Sequence, residues 1–140
     1  MQLNITTDYA IRVMLCLCKK ETIVSAREIS ETMKIPEDYV LKITKKLLKS
    51  GLIKSYIGKN GGFSANKSPE TITLFTIIQS VENTVKINRC LEGDRFCGRL
   101  ATETCPVRSF YCRLQDELET SLSSITIKAL LDASNRIREE

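Results

Sequence analysis

Three cysteines, Cys90, Cys97 and Cys105, carry the most distinctive chemistry in this chain of 140 residues. These loop cysteines are separated by six and seven residues, on or beside the irregular segment 88–104. Soft thiolates hold iron and sulfide well, and a loop can wrap around a cluster, so the pattern favours an iron-sulfur cluster, 2Fe-2S or 4Fe-4S. Zinc sites usually show closer cysteine pairs, which are absent here. Three free thiols are the simpler alternative.

The other cysteines suit structural roles. Cys112 follows Cys105 by seven residues, so a helix that is continuous from Pro106 separates the two by about 10 Å along its axis, a long reach for one small cluster. Cys16 and Cys18 lie in a predicted helix and are expected to be small buried hydrophobes. The chain contains no histidine, which excludes imidazole ligands and Ser-His-Asp catalysis.

The segment that must position other functional groups begins with two short helices. Ser25 and Glu28 form a capping-box pattern, because the Ser hydroxyl can accept from the third backbone N–H while the Glu reaches back. A helix over about residues 26–33 is therefore predicted. Proline has no backbone N–H, and the first turn of a helix has no carbonyl partner for one, so Pro36 is tolerated at the start of a second helix. Gly51 ends that helix.

A glycine-rich hairpin follows the two helices. Two strand-like runs, 52–57 and 63–66, flank the turn 58–62, whose sequence GKNGG tolerates positive φ. Two short helices followed by a hairpin predict a winged helix-turn-helix. The fold class expected is therefore mainly α with a small β-hairpin wing.

The second short helix is amphipathic. Val40, Ile43 and Leu47 form a core-facing stripe. The opposite side, which we call the lysine face, carries one aromatic residue and four lysines: Tyr39, Lys42, Lys45, Lys46 and Lys49. Such a face can approach phosphates in a DNA major groove. A merely solvated helix face is the simpler reading, but the neighbouring capped helix and basic hairpin favour DNA.

The charge distribution supports an anionic partner. Residues 1–67 hold 12 Lys or Arg and 6 Asp or Glu, a net +6, whereas residues 68–140 hold 9 and 11, a net −2, which together give +4. The sequence has no apolar run of about eighteen residues and no signal-peptide pattern, so a cytoplasmic protein without membrane association is expected. Nothing in the sequence indicates an enzyme.

Helices are also predicted on both sides of this unit. Thr6 or Thr7 is expected to cap a first helix that ends near Lys20. A short amphipathic helix is predicted over 73–82, and residues 88–104 show no period and resemble a loop. Seventeen structureless residues within a compact domain are uncommon and usually functional.

A long helix is predicted from Pro106. Its apolar stripe consists of Val107, Phe110, Leu114, Leu118 and Leu122. The stripe could pack onto its own domain, but a two-fold operator favours pairing between the subunits of a homodimer. A last helix follows from about Thr126. The expected organisation is a DNA-binding domain over 1–82, a cysteine-bearing cluster loop over 83–105, and a dimerisation helix with a C-terminal helix over 106–140.

Several motifs together resemble one family, the Rrf-type regulators that include IscR, NsrR and CymR. The resemblance spans nearly the whole chain and rests on the order and spacing of TTDYAIRVM, IPEDYVLKITKKLLKSGLIKS, GKNGGF and ITLFTIIQSVE, followed by three cysteines and a long helix. It implies a dimeric winged-helix transcription regulator, with repression favoured. In cluster-bearing members DNA binding responds to iron-sulfur status, iron, oxidants or nitric oxide.

The resemblance also implies which residues contact double-stranded DNA. They lie on the capped helix pair and the wing: Ser25, Arg27, Tyr39, Lys42, Lys45, Lys46, Lys49, Lys59 and Asn60. This chain has Ile57 just before the wing glycine, where many members have arginine. Contact with the minor groove would therefore come from Lys59 or Asn60.

The same resemblance matches the loop cysteines to three cluster ligands and leaves one iron position open. Some members supply a histidine where this chain has Arg108. Other cluster-bearing relatives use an acidic residue in the first helix, at the place of Asp8, so Asp8 from the other subunit is expected to be the fourth ligand. Cys112, another carboxylate, water or a small thiol are alternatives, and an Asp in the first turn also favours the helix dipole.

Three functions remain open at this point. The first is a regulator of transcription controlled by an iron-sulfur cluster. The second is a cluster-free regulator of the same family, controlled by a metabolic partner or by thiol chemistry. The third, from another class, is a small iron-sulfur electron carrier whose basic face binds an acidic redox partner.

Overall fold

The computed structural model describes residues 2–139 and shows a mostly helical chain with one β-hairpin. The expected fold class is therefore confirmed. In chain order the elements are α1 (Ile5–Lys20), α2 (Ala26–Met33), α3 (Glu37–Lys49), β1 (Ile53–Tyr56), β2 (Gly62–Ala65), α4 (Leu74–Val81), a 3-10 turn (Arg89–Leu91), α5 (Pro106–Ser124) and α6 (Ile127–Glu139). None of the helices among these described residues is long and apolar enough to cross a bilayer.

The helix-turn-helix pair forms for the reasons that its sequence indicates. The Ser25 Oγ accepts a hydrogen bond from the Glu28 N–H at 3.1 Å, which confirms the predicted cap of α2. Pro36 occupies the N-cap position of α3 and contributes its carbonyl to the N–H of Tyr39 at 2.9 Å. At the other end Gly51 has a φ of 76°, a left-handed conformation that glycine adopts without a steric cost.

The cap predicted for α1 was wrong. Asn4, rather than Thr6 or Thr7, is the N-cap, and its Oδ1 accepts from the Thr6 N–H at 2.9 Å. Thr7 is buried, and its hydroxyl donates instead to the Glu82 carboxylate, 75 residues along the chain. A short polar side chain near a helix start can thus serve tertiary structure in place of capping.

One apolar core unites the first and last parts of the chain. It is built from residues of α1, α2, α3, α4 and β1, together with Ile127 of α6. The Ile127 N–H donates to the Ile72 carbonyl at 2.9 Å, and Thr73 forms a β-bridge with Thr126. The last helix therefore packs into the core of the winged helix, against α1.

The wing is a two-stranded antiparallel hairpin, residues 53–65, whose register pairs Ile53 with Ala65 and Tyr56 with Gly62. Its base is attached to the helices by a β-bridge between Val24 and Phe63. A side chain cannot be accommodated at Gly62, because a Cβ there would lie 2.3 Å from the Val24 carbonyl oxygen. This close approach fixes the wing beside the start of α2.

The long helix α5 leaves its apolar stripe uncovered. The exposed fractions of Val107, Phe110, Leu114 and Leu118 lie between 38% and 51%. The one buried residue of α5 is polar, Gln115, with 3% exposure. Packing of this stripe onto its own domain, the simpler alternative, is therefore not what the described residues show.

Candidate nucleic-acid interface and cysteine loop

The lysine face forms an open groove on the exterior of α3. A depression of about 560 Å³ is lined by Thr6 of α1 and by residues of α3: Tyr39, Lys42, Ile43, Lys45, Lys46 and Lys49. Lys45 and Lys49 are exposed and form no ion pair with any residue that the structure describes. These two ammonium groups are accordingly available to an anion.

Lys46 differs from the other lysines of this face. Its Nζ donates to the carbonyl oxygen of Val81 at 2.8 Å, at the end of α4. The last carbonyls of a helix have no partner within the helix, and a cation near them also interacts favourably with the helix dipole. Lys46 therefore links α3 to α4, and this bond holds its ammonium group at the end of α4.

Tyr39 is held in place by an aromatic pair that the sequence did not reveal. The rings of Tyr9 and Tyr39 meet edge to face with centroids 5.5 Å apart, and the Lys42 Nζ lies 5.6 Å from the Tyr39 centroid. The Arg12 guanidinium lies 5.4 Å from the Tyr9 centroid. The contact between α1 and α3 thus orients the aromatic residue of the lysine face.

The other predicted DNA contacts lie on α2 and the wing. The Ser25 hydroxyl is used as a cap, and Arg27 is exposed with its Nε 3.0 Å from the Glu31 carboxylate. Lys59 and Asn60 are both exposed in the turn of the wing. Ile57, beside them, is fully exposed at 102%. The tip of the wing therefore presents one apolar and two polar side chains to solvent.

The structure does not gather the loop cysteines into a ready metal site. Cys90, Cys97 and Cys105 are all free and half-buried. Among the described residues, no group of three or more Cys, Asp or Glu side chains is placed to hold a metal ion. The chemistry of the three thiols fits an iron-sulfur cluster, since the donors are soft and half-buried. Holding the cluster would require this loop to close around it.

The segment 88–104 is more ordered than the expected structureless loop. The Asn88 Oδ1 accepts from the Cys90 N–H at 3.2 Å and so caps the 3-10 turn. The Arg89 guanidinium pairs with the Asp94 carboxylate at 2.5 Å, and its Cζ lies 5.4 Å from the centre of the Phe96 ring. The loop is thus a series of local turns fastened at the surface.

Cys97 lies where the backbone favours a thiolate. The backbone N–H of Ala101, and after it that of Arg99, lowers the pKa of this thiol. Leu100 adopts a φ of 54° in this turn, and its side chain is 93% exposed. A thiol whose pKa is lowered in this way is a good ligand for a soft metal.

Cys105 and Cys90 are connected through Arg108. Cys105 is the N-cap of α5, and its sulfur accepts from the Arg108 N–H at 3.5 Å. The Arg108 Nε donates to the Cys90 carbonyl at 3.2 Å. The residue that stands where some family members have histidine therefore links the two ends of the loop.

Cys16 and Cys18 have the structural role expected for them. Cys16 and Cys18 are buried in α1, as predicted, and burial raises the pKa of both thiols, that of Cys18 to about 11. Cys112 is half-buried within α5. Because α5 is continuous from Pro106, Cys112 lies about 10 Å from Cys105 along the helix axis.

Asp8, the candidate fourth ligand, is engaged in an ion pair within the chain. Its Oδ2 lies 2.6 Å from a guanidinium nitrogen of Arg12, one turn further along α1, and both side chains are about half exposed. The same guanidinium group donates to the Met33 carbonyl at 3.4 Å. Binding a metal would require Asp8 to exchange this partner.

Relatives of known type match most of the chain. The chain is 29% identical to the HTH-type transcriptional regulator NsrR of Shouchella clausii, over 89% of this chain and 79% of that protein. It is also 29% identical to the HTH-type transcriptional regulator IscR of Pectobacterium carotovorum, over 97% and 86%. The structure of CymR from B. subtilis, titled the global cysteine regulator, matches with a TM-score of 0.78 and 26% identity, over 95% and 98%.

These likenesses agree with a match to a family model. The model of the Rrf2 family, described as iron-dependent transcriptional regulators, matches residues 3–133. The family and its relatives are transcription regulators and not enzymes, which decides against the electron-carrier alternative. The winged helix described above is the fold of the solved relatives. The chain belongs to the Rrf2 family of DNA-binding transcription regulators.

Proposed function

We propose that this Rrf2 regulator is a homodimeric repressor whose affinity for its operator is controlled by an iron-sulfur cluster. The observation that carries the proposal is the presence of three half-buried thiols on the surface loop between the winged helix and the long helix. The proposed units are a DNA-binding domain (1–82), a cluster loop (83–105) and the region 106–140, in which α5 would form the dimerisation helix while α6 packs into the core of the winged helix. Because its target is chromosomal DNA, we place its action in the cytoplasm.

The lysine face would contact the phosphates of a major groove. Lys42, Lys45 and Lys49 project from α3, and neutralising a phosphate with each releases counterions. The wing, with Lys59 and Asn60 exposed at its tip, would reach an adjacent minor groove. Ser25 and Arg27 would contact the backbone from the start of α2. This arrangement resembles the general docking of helix-turn-helix proteins, in which the second helix enters the groove.

The DNA contacts are tested by the salt dependence of binding. Replacing Lys45 or Lys49 by Ala should weaken binding to a duplex from the protein's own upstream region and reduce the log–log salt slope by about 0.9 each. Lys128→Ala in α6 is the matched control and should leave the slope unchanged. An unaltered slope in the first two variants would exclude these lysines as phosphate contacts.

The exposed stripe of α5 would form the dimer interface. Val107, Phe110, Leu114 and Leu118 leave large apolar areas in water, and pairing of the stripe with that of a second subunit would cover them. Leu114→Glu should yield monomers in sedimentation. It should also lower operator affinity, because each monomer then binds only one half-site of a two-fold operator. Replacement of the exposed Glu117 by Gln should leave the dimer intact.

The loop cysteines would hold the cluster, with Asp8 of the partner subunit as the fourth ligand. When bound, the group would supply sensitivity to redox state, iron or nitric oxide. The chain's own part is to present three sulfurs and, from α1, a carboxylate that leaves Arg12. A carboxylate is a harder donor than a thiolate, so its iron would be the one most readily exchanged.

Native mass spectrometry after anaerobic purification tests the cluster directly, since it counts iron and sulfide. Cys97→Ala should lose the iron while keeping its helical content. Asp8→Ala should shift the visible and circular dichroism bands of the cluster, whereas Cys112→Ala should leave them unchanged. Full iron content in Cys97→Ala would remove that residue from the ligand set, and a spectral change confined to Cys112→Ala would transfer the fourth position to Cys112.

A cluster-free regulator is the second candidate, and two observations favour it. Among the described residues the loop cysteines are not gathered into a metal site, and the fold is similar to that of CymR, the global cysteine regulator of B. subtilis. In that case thiol chemistry at Cys97, or a metabolic partner, would control DNA binding. A colourless protein after anaerobic purification, with an operator affinity that changes on thiol oxidation, would support this candidate over the first.

A further inference from the structure

A short strap, residues 82–87, joins the last turn of α4 to the 3-10 turn that contains Cys90. It is the covalent route from the winged helix to the cysteine loop. The strap is six residues long, so it can span at most about 21 Å when fully extended. The groups that fix each of its ends therefore decide whether the loop and the winged helix move together.

The end of the strap near the DNA-binding unit is fixed by two helices. Lys46 of α3 donates to the carbonyl of Val81 at 2.8 Å, and Val81 is buried. The next residue, Glu82, accepts a hydrogen bond from the buried Thr7 hydroxyl of α1. The start of the strap is thereby attached to the recognition helix itself.

The other end is fixed by one buried amide. The Gln115 Oε1 accepts from the Ile87 N–H at 2.8 Å, while its Nε2 donates to the Val85 carbonyl at 3.0 Å. The same Nε2 donates to Glu119 at 2.8 Å, and that carboxylate lies 3.0 Å from the Lys86 Nζ. A glutamine buried for these bonds explains why the only buried residue of α5 is polar.

The cysteine loop begins immediately beyond Ile87. Asn88 caps the 3-10 turn that holds Cys90, and Arg108 of α5 binds the Cys90 carbonyl at 3.2 Å. A rearrangement of the loop around a ligand, or after oxidation of a thiol, therefore acts on the strap at Gln115. The strap can pass that displacement to α4, through Lys46 to α3, and through the bond between Thr7 and Glu82 to α1.

We propose that Lys46 and Gln115 are positioning residues at opposite ends of this strap, and that together they couple the cysteine loop to the recognition helix. The inference rests on the proposed DNA binding but not on the cluster. It assigns Lys46 a role different from that of its neighbours, since its ammonium group places α3 and does not neutralise a phosphate.

The salt dependence of operator binding separates the two roles of a lysine. Lys46→Met should lower operator affinity roughly fivefold, as expected for the loss of one coupling contact, with no change in the salt slope. Lys45→Met, the matched variant one residue earlier, should reduce the slope by about 0.9. A slope that falls by the same amount in Lys46→Met would overturn the inference.

A double-mutant cycle tests whether the two ends act through one strap. Gln115→Leu should also weaken binding without a change of slope, and the double variant with Lys46→Met should bind no worse than the weaker single variant. Lys128→Met, at an exposed lysine of α6 that shares no contact with Lys46, is the control and should combine additively with Lys46→Met. Additive losses for Lys46 and Gln115 would show that they are independent and refute the strap. If Gln115→Leu does not fold, Lys86→Met replaces it in the cycle. That variant removes the partly exposed ion pair between Lys86 and Glu119.

Reciprocity supplies the final test, because a coupling that alters DNA affinity must also alter the loop when DNA binds. Operator DNA should change the iodoacetamide alkylation rate of Cys90 or Cys97 at least twofold in the wild-type apo protein, and leave it unchanged in Gln115→Leu. An equal effect in both proteins would overturn the coupling. A wild-type protein that binds no operator at all would refute the proposed function, an outcome distinct from either of these.

Discussion

Burial holds the winged helix together, whereas local polar contacts hold the cysteine loop. In the winged helix, side chains such as Ile43 and Leu47 of α3 are fully buried against α1 and α4. In the loop, the pairs Arg89–Asp94 and Arg95–Glu103 lie at the surface, where solvent screens an ion pair and it adds little to stability. The first region resists displacement, and the second can rearrange at little cost.

This difference suits a regulator, which needs a stable surface for DNA and a segment that changes with the signal. Regions that move in regulation are drawn from the least stable parts of a protein. The six-residue strap lies between the two regions and is fixed at both ends. In the coupling proposed above, a displacement of the loop therefore reaches the winged helix through this strap.

The largest contrast between the regions should appear on truncating a leucine in each. Leu47 is fully buried in α3. Leu47→Ala should lower the free energy of unfolding of the protein by about 2–5 kcal/mol, because apolar burial is lost and a cavity is left behind. Leu100→Ala, in the exposed turn of the loop, should change that free energy by less than about 0.5 kcal/mol. Urea unfolding measures both, and equal losses would mean that the loop is packed against something in solution.

A second contrast concerns thiol reactivity. Hydrogen bonds from backbone N–H groups lower the pKa of Cys97, whereas burial raises that of Cys18 to about 11. Because the thiolate is the reactive form, Cys97 should be alkylated at neutral pH at least about a hundredfold faster than Cys18. Peptide mapping of the apo protein over time gives both rates. Comparable rates would show that α1 opens as readily as the loop.

The two regions also differ in how far their sequences predict them. The capping box at Ser25, Pro36 before α3 and the glycines of the wing are local signals, so the boundaries of these elements were predicted to within about two residues. The start of α1 was missed because Asn4, Thr6 and Thr7 can all cap a helix, and only tertiary packing against Glu82 decides among them.

The candidate site was predictable in its residue types but less so in its contacts. The spacing of lysines on α3 showed which side chains share a face, yet nothing in the sequence indicates that Lys46 reaches Val81, 35 residues away. Gln115 gave no signal either, since a glutamine on a helix is ordinarily exposed. Likewise, cysteine spacing indicates possible ligands but does not determine how a loop brings them together.

A third contrast compares one glycine from each region. A Cβ at Gly62 would lie 2.3 Å from the Val24 carbonyl, whereas at Gly93 it would meet nothing within 4 Å. Gly62→Ala should therefore cost about 1–3 kcal/mol, by forcing the wing away from α2, and should weaken operator binding with it. Gly93→Ala should be neutral or slightly stabilising. Thermal unfolding and operator titration of the two variants test this, and an unperturbed Gly62→Ala would mean that the wing is not anchored at Val24.

The smallest effect expected is the acid response of the loop itself. The pKa of Asp94 is lowered from 3.8 to about 2. The largest cause is a hydrogen bond from the Arg89 side chain, and a smaller one is a hydrogen bond from the Phe96 N–H. Because the folded pKa is depressed, the stabilisation by this carboxylate is fully present above about pH 4 and is lost as the pH falls towards 2. Both side chains are exposed, so the effect should be confined to the loop.

Carbon-13 NMR can follow this carboxyl group through the titration. The Asp94 midpoint should lie near 2 in the wild-type protein and return towards 3.8 in Arg89→Gln, while Arg99→Gln, on the same loop, should leave it in place. Across the same range the signals of the Ile43 and Leu47 methyl groups should stay constant until global acid unfolding, because both side chains are fully buried in the core of the winged helix. A wild-type midpoint at 3.8 would mean that the Arg89 pair does not form in solution. The loop would then lack one of its ion pairs, and the difference in stability between the loop and the winged helix would be larger than the structure indicates.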